Sequence, residues 1–542
     1  MSFGAPSPDD WGSDEAADPP PGGGSLMSRR YVVPAVIVAI TVAMLGATTP
    51  GADASSSTGQ RVVLRLQRRA VQAPETPERA ADGTNACTAP TPDPSGIVKT
   101  YAYYHCYTAQ DIRAAYGVDA VDNMGAGQTI VLMDSYGSPT AAADLQAFHE
   151  AFFPELPDPN FDAVYPNGYQ PFKNIGNGWS GSSGAAGWSG EATLDIEWSY
   201  AIAPLAHIVL VGVPPAETYG VQGLPNLFKA LSWVIATYPA GTVISQSFGL
   251  AEQTFNGAAP VKLSQFDTVY QAAAEKGDTV LASSGDNGTT GTKKAKKGAL
   301  SYTVPTAGWP ASSPWVTAVG GTQLQYGWTW APTSDVPFLA DGSNNPDYFA
   351  STPGGDTEAV WNETWLPAAT GGNASAYYSM PSFQSGVGSV IGSDHRGNPD
   401  LSWNAAVNGG VLVWITAFPT YQRPGWHVYG GTSASSPQVA GLVALANEQQ
   451  ATDGEAPLGY LNPLLYSVGS GAAFRDIVPV TEGTAASGVL ADNTLWTYLA
   501  DGSVAPGPVA GNPTLAGWDM TTGFGSPEAA AFIAAVRAAA NA

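Results

Sequence analysis

Residues 242–286 contain, in order, TVISQSFG (242–249), KLSQFDTVYQAAAEK (262–276) and DTVLASSGD (278–286). The outer two are short, nearly continuous apolar runs that end in small residues, as strands buried on both faces do, and the middle one has the spacing of a helix. A strand, a helix and a strand in close succession make a crossover unit and so a parallel sheet. The pattern recurs outward from there. QTIVLMDS (128–135), HIVLVGV (207–213) and VLVWITAF (411–418) are further strands, and LPNLFKALSWVIATY (224–238) and SPQVAGLVALANEQQ (436–450) are further helices. The expected fold class is α/β, a parallel sheet with helices on both faces in one large domain, with its active site at the carboxyl ends of the strands. Thr108 is placed to cap a helix over QDIRAAYG, and 323–365 and 480–515 read as turn-rich surface insertions.

Of the 542 residues, 44% are hydrophobic and only 12% charged, with 45 acids against 21 bases for a net charge of -24. That balance excludes a nucleic-acid partner, which needs clustered Lys and Arg. Met27-Ser-Arg-Arg, the apolar YVVPAVIVAITVAMLG and the ending Ala52-Asp53-Ala54 read as a secretory signal. Ahead of them lies an acidic Pro/Gly-rich segment, 1–26. Either translation starts at Met27, or the apolar run over 31–47 stays in the membrane as an anchor; export follows in both cases. Residues 55–106 read as a linker or short pro-region, and 107–542 as the folded domain, taken as a monomer. The only cysteines, Cys87 and Cys106, suggest one disulfide, worth about 3 kcal/mol by loop closure.

The chemistry begins at GGTSASSPQVAGLVALA (430–446), where Ser433 stands at the junction of a Gly-Gly turn and a helix. A helix N-terminus favours the negative charge of acyl transfer, but a serine hydroxyl needs a base within reach. None of the five histidines suits: His105 abuts Cys106, His149 lies in a helix, His207 opens a strand, and His395 and His427 fall in loops. Asp134 in VLMDSYGS resembles a subtilisin aspartate, yet its triad lacks a histidine. GEATLDIEWSYAIAP offers Glu191 and Asp195 instead, four apart and so stacked on one helix face, where two carboxylates share a proton and one can serve as base. The bland alternative is a solvated helix face. Asp286 in LASSGDNGTTG is either an ordinary Asx turn or a protonated acid that donates to an oxyanion.

Together the Glu191-x-x-x-Asp195 helix, the Ser283-Ser284-Gly285-Asp286 turn and Gly431-Thr432-Ser433-x-x-x-Pro437 resemble the serine-carboxyl peptidases of the sedolisin family, over roughly 107–540. VPTAGWPASSPWVTAVGGT (304–322) and RGNPDLSWNA (396–405) extend the resemblance. It implies a subtilisin-like fold with Glu191 as general base, Asp195 orienting it, Ser433 as nucleophile and Asp286 in the oxyanion hole. It further implies a substrate strand paired with Ser247-Phe248-Gly249, protein or peptide substrates and an acidic optimum. A calcium site is implied at Asp476, Ile477, Leu515, Gly517 and Asp519, an all-oxygen set suited to a hard cation. Family members usually carry a long folded prodomain, and only about fifty residues separate Ala54 from Cys106 here. Two other readings remain open: a subtilisin-type peptidase using Asp134, and a non-catalytic exported binding protein that uses some of its 16 Trp and 23 Tyr for contact.

Overall fold

The computed structural model of the chain describes residues 105–168, 185–213, 223–294, 299–334, 336, 337, 339, 345–417, 425–481, 489–498 and 504–542. The signal segment, the 55–104 linker and Cys87 lie outside them. A central sheet is built from β1 (Thr129–Ser135), β2 (Phe161–Val164), β3 (His207–Val213), β4 (Val243–Gln246), β5 (Thr279–Ser283), β6 (Thr317–Trp330), β7 (Ser351–Val360) and β8 (Leu401–Asn404). The order is β7-β6-β5-β4-β1-β3-β2, with β8 along the other side of β6. Every pairing is parallel except β6 with β7.

Alternation along the strands explains why both faces are covered. Ile130 and Leu132 of β1, with Ile208 and Leu210 of β3, enter one apolar cluster; Val131 and Met133, with Val209 and Val211, enter the other. The first cluster is closed by α1 (Ala109–Ala115), α2 (Ala141–Phe152), α3 (Ala185–Ile202) and α6 (Thr432–Asp453), the second by α4 (Leu224–Thr237) and α5 (Ala259–Lys276). Thr108 caps α1 in a capping box with Asp111. The helix α6 is buried along almost its whole length and crosses β4, β5, β6 and β8. Its first turn is pinned by Ser436 Oγ to Ser245 Oγ of β4 at 2.8 Å and by Ser435 Oγ donating to the Trp403 carbonyl of β8 at 3.0 Å. That places Ser433 over the carboxyl ends of the strands.

Three expectations fail here. The stretch 323–365 is more than a turn-rich surface insertion: it supplies most of β6 and all of β7, an antiparallel ribbon whose Trp330 is buried against Tyr348 and Phe349 while Ser351 to Asp356 stay exposed. Its Gly and Thr content reads as turns, while the pairing that makes it sheet is non-local. In 480–515, Asn493 is fully buried and its Nδ2 donates to the Thr370 carbonyl at 3.0 Å, so this segment packs on the core. The 411–418 strand forms at Gly410–Ile415 but in a separate small sheet, parallel to Cys106–Tyr107 and antiparallel to Gly425–Tyr429. His395 and His427 consequently lie in strands, His395–Asn398 and Gly425–Tyr429, rather than in loops.

Candidate active site

Glu191 and Asp195 sit one turn apart on α3, and α3 has no solvated side: Glu191 is 4% exposed and Asp195 not at all. Burial pushes the Asp195 carboxyl well above its usual range; the charges of Asp134 and Glu191 push the same way, and a hydrogen bond from Ser247 opposes them. Asp134, next to last in β1, is fully buried, and neither of its oxygens has a hydrogen-bond partner among the described residues; burial raises it to about 8. Its neighbour is the acid pair and no histidine.

Asp286 follows β5 in a turn that Gly285 makes at φ +108°. Asp286 Oδ1 accepts the Thr432 N–H at 2.9 Å and the Thr432 hydroxyl at 2.8 Å, while Oδ2 is buried without a partner among the described residues. Burial raises this carboxyl to about 7 against the pull of those two bonds, so in acid it holds a proton and can donate it from Oδ2. Gly431 has φ +103°, and a Cβ there would meet Asp286 Oδ2 at 2.9 Å. Glycine is therefore required twice over, by its backbone and by the acid it lets approach.

Ser433 occupies the first turn of α6, and its Oγ has no hydrogen-bond partner among the described residues. Pro437, four residues on, has no N–H to give to the Ser433 carbonyl, which an ordinary helix would satisfy at that point. Ser247 Oγ lies 3.4 Å from that carbonyl and donates to Asp195 Oδ1 at 2.9 Å. One hydroxyl thus stands between the acid pair and the serine helix. Of the expected substrate strand, Phe248 is buried in the core, and Gly249 edges a cleft of about 530 Å³ that Ser283, Ser284, Asp286, Gly308 and Gly371 also line.

No histidine takes part. His105 stacks on Trp328 and bonds Ser351 at 2.9 Å; His149 bonds the Tyr200 hydroxyl at 2.6 Å; His207 pairs with Asp162; His395 lies 3.5 Å from Asp394; His427 sits opposite Val413 in the small sheet. The structure therefore gathers Asp195, Asp286 and Ser433 around residues 247–249, with Glu191 one turn away. The sequence placed Ser247 in the expected substrate strand and Thr432 inside the Gly-Thr-Ser motif, but gave neither side chain a role of its own.

Four of the five positions expected to hold calcium are joined in pairs by hydrogen bonds. The Gly517 N–H donates to Asp476 Oδ2 and the Leu515 N–H to Asp519 Oδ2, each at 2.9 Å, so loop 515–519 is drawn onto both carboxylates. Asp519 and Ile477 are fully buried, and burial raises the Asp519 carboxyl, a shift that a bound cation would oppose. The donor set is that of an oxygen-seeking ion in kind, two carboxylates bonded to one loop, with Asp519 Oδ1 already accepting from Thr521 and Thr522.

Comparison with known proteins agrees with this geometry. The solved structure of Pseudomonas sedolisin, a serine-carboxyl proteinase complexed with two molecules of pseudo-iodotyrostatin, superposes with a TM-score of 0.56 at 25% identity, over 80% of this chain and 99% of that one. In fold and in sequence the chain is similar to the sedolisin family. Among the sedolisin relatives, kumamolisin of Bacillus sp. (strain MN-32) is 30% identical over 351 residues, 63% of this chain and 50% of kumamolisin. Tripeptidyl-peptidase sed4 of Aspergillus fumigatus is 28% identical over 85% of this chain and 69% of its own length. The chain thus spans about half the length of kumamolisin. The Subtilase family model matches residues 197–458, a stretch that holds Asp286 and Ser433 but starts just after the Glu191–Asp195 pair. The acid helix is where a sedolisin parts from the wider subtilase pattern.

Proposed function

We propose that this chain hydrolyses peptide bonds in acid as a serine-carboxyl endopeptidase. Ser433 attacks the scissile carbonyl and forms an acyl-enzyme, Glu191 takes its proton, Asp195 holds Glu191 in place, and Asp286, protonated, donates from Oδ2 to the oxyanion alongside the first-turn N–H groups of α6. The observation that carries the reading is the Ser247 bridge, which sets Asp195 and the Ser433 backbone on one hydroxyl at 2.9 and 3.4 Å. The substrate strand lies along 247–249, with a side chain entering the cleft beside Asp286.

The test is hydrolysis of an unfolded protein from pH 2 to pH 9 by wild type and Glu191→Gln together. Activity that peaks in acid and disappears in the Gln variant is the expected result; a neutral optimum that survives the substitution would overturn the carboxylate base. The binding-protein reading is disfavoured because all four chemical roles have a residue in place.

Calcium, export and the disulfide belong to the same reading. Asp476, Asp519 and the carbonyls of Ile477, Leu515 and Gly517 would hold the ion, which would tie the C-terminal loops together without entering the reaction. A chelator should then lower the melting temperature, and added calcium restore it. The leader over 27–54 and the Cys87–Cys106 pair suit a secreted protein. Among the described residues, no helix is long and apolar enough to cross a membrane.

A further inference from the structure

Ser247 is fully buried just beyond the end of β4, and a hydroxyl has a single proton to donate. The 2.9 Å contact to Asp195 Oδ1 takes it, since the 3.4 Å contact to the Ser433 carbonyl is at the outer limit of hydrogen bonding. A carboxyl whose Oδ1 accepts a hydrogen bond in this way carries its own proton on the other oxygen. Asp195 Oδ2 is buried and has no hydrogen-bond donor among the described residues. The ionisable groups that bear on Asp195 are Glu191, on the same helix, and Asp134, from β1; the neutral donor on it is Ser247, from the loop after β4.

We infer that Ser247 is a positioning residue for the proton relay: by holding Oδ1 it fixes the Asp195 proton on Oδ2, the oxygen left to share that proton with the neighbouring acids. The inference rests on the proposed peptidase reading. A core serine that only needed to be satisfied could bond a carbonyl nearby in sequence, as Ser189 does with Ala185 and Ser199 with Ile196. Ser247 instead reaches a carboxylate 52 positions away. Proline at 437 leaves the Ser433 carbonyl without a helical donor, so nothing on α6 crowds the hydroxyl from its place between the two elements.

The experiment compares wild type, Ser247→Ala and Ser247→Thr for kcat and KM across pH, and for melting temperature across pH. Alanine should lower kcat about tenfold, the upper value of one neutral hydrogen bond, with KM changed less than about twofold. Its alkaline limb of kcat should move to higher pH, because the lost bond favoured the ionised form of Asp195. Threonine, which keeps the hydroxyl, should restore both. A group raised by folding loses its stabilising effect as pH rises through the folded-state value, so the fall of melting temperature with pH should extend further upward in the alanine variant. An alanine variant with wild-type kcat and limb overturns the assignment. So does a lowered kcat with an unmoved limb and a melting temperature reduced equally at every pH, which is a packing defect. Absence of hydrolysis in every variant overturns the peptidase reading and with it the relay, whereas hydrolysis with an unmoved limb overturns the role of Ser247 alone.

Discussion

The molecule buries two kinds of carboxylate. Glu363 is fully buried and receives four donors, the indoles of Trp361 and Trp365 and the N–H groups of Val407 and Asn408, at 2.8–3.2 Å. Asp400 is equally buried and is filled by the Ala318 N–H, the Tyr466 hydroxyl and Arg396. Around the carboxyl ends of β1, β4 and β5 the pattern reverses: among the described residues nothing bonds either oxygen of Asp134 or one oxygen each of Asp195 and Asp286, and Glu197, further along α3, also keeps Oε1 bare. Burial is thus common to both groups, and saturation separates them. A filled carboxylate reads as scaffold, and a bare oxygen in the dry interior, where it lies beside the serine helix, marks a candidate for proton transfer or oxyanion contact.

The largest effect should come from Ser433→Ala, which is expected to reduce kcat by on the order of 10⁶-fold while circular dichroism and the melting curve stay as in wild type. Asp286→Ala should lower kcat about 10²- to 10³-fold, the loss of one oxyanion donor, with KM little changed. On the scaffold side, Glu363→Gln should leave kcat within about twofold and instead destabilise the fold by about 1–3 kcal/mol, because an amide nitrogen then faces indole and backbone donors. Loss of hydrolysis in that variant without loss of stability would erase the distinction between the two groups. The pH dependence is the finest test. Asp134 and Asp286 are raised to about 8 and about 7, so the stability they contribute is complete below the unfolded value near 4 and is lost as pH rises through the folded values. Melting temperature should fall steadily from about pH 4 to about pH 8, and replacing Asp134 by Asn should flatten the upper part of that fall.

Much of this was legible in the sequence because the relevant signals are local. Strand runs with alternation on two buried faces predicted β1, β3, β4 and β5, and the helices between them. The acid pair at 191 and 195, the Ser-Gly-Asp turn and the Gly-Thr-Ser motif were readable as chemistry, though α3 being buried on every side was not, since a solvated acid pair has the same spacing. The β6–β7 ribbon escaped because a strand at a sheet edge is defined by its partner, and Thr, Gly and Pro in SТPGGDTEAV suggest turns until Thr322 finds Val360. The role of the Ser247 side chain escaped for a similar reason: its partner lies on another element, and a serine after a strand is ordinary until the fold puts a carboxylate beside it.

The buried acids also change what the protein weighs electrically. The sequence gives a net charge of -24 and an isoelectric point near 4.3 by counting each carboxyl at its exposed affinity for protons. In the folded molecule Asp134, Asp195 and Asp286 keep theirs through mildly acidic conditions. The native protein should therefore focus at a higher pH than the same chain in urea, and move more slowly toward the anode at pH 6 than its unfolded form of equal size would.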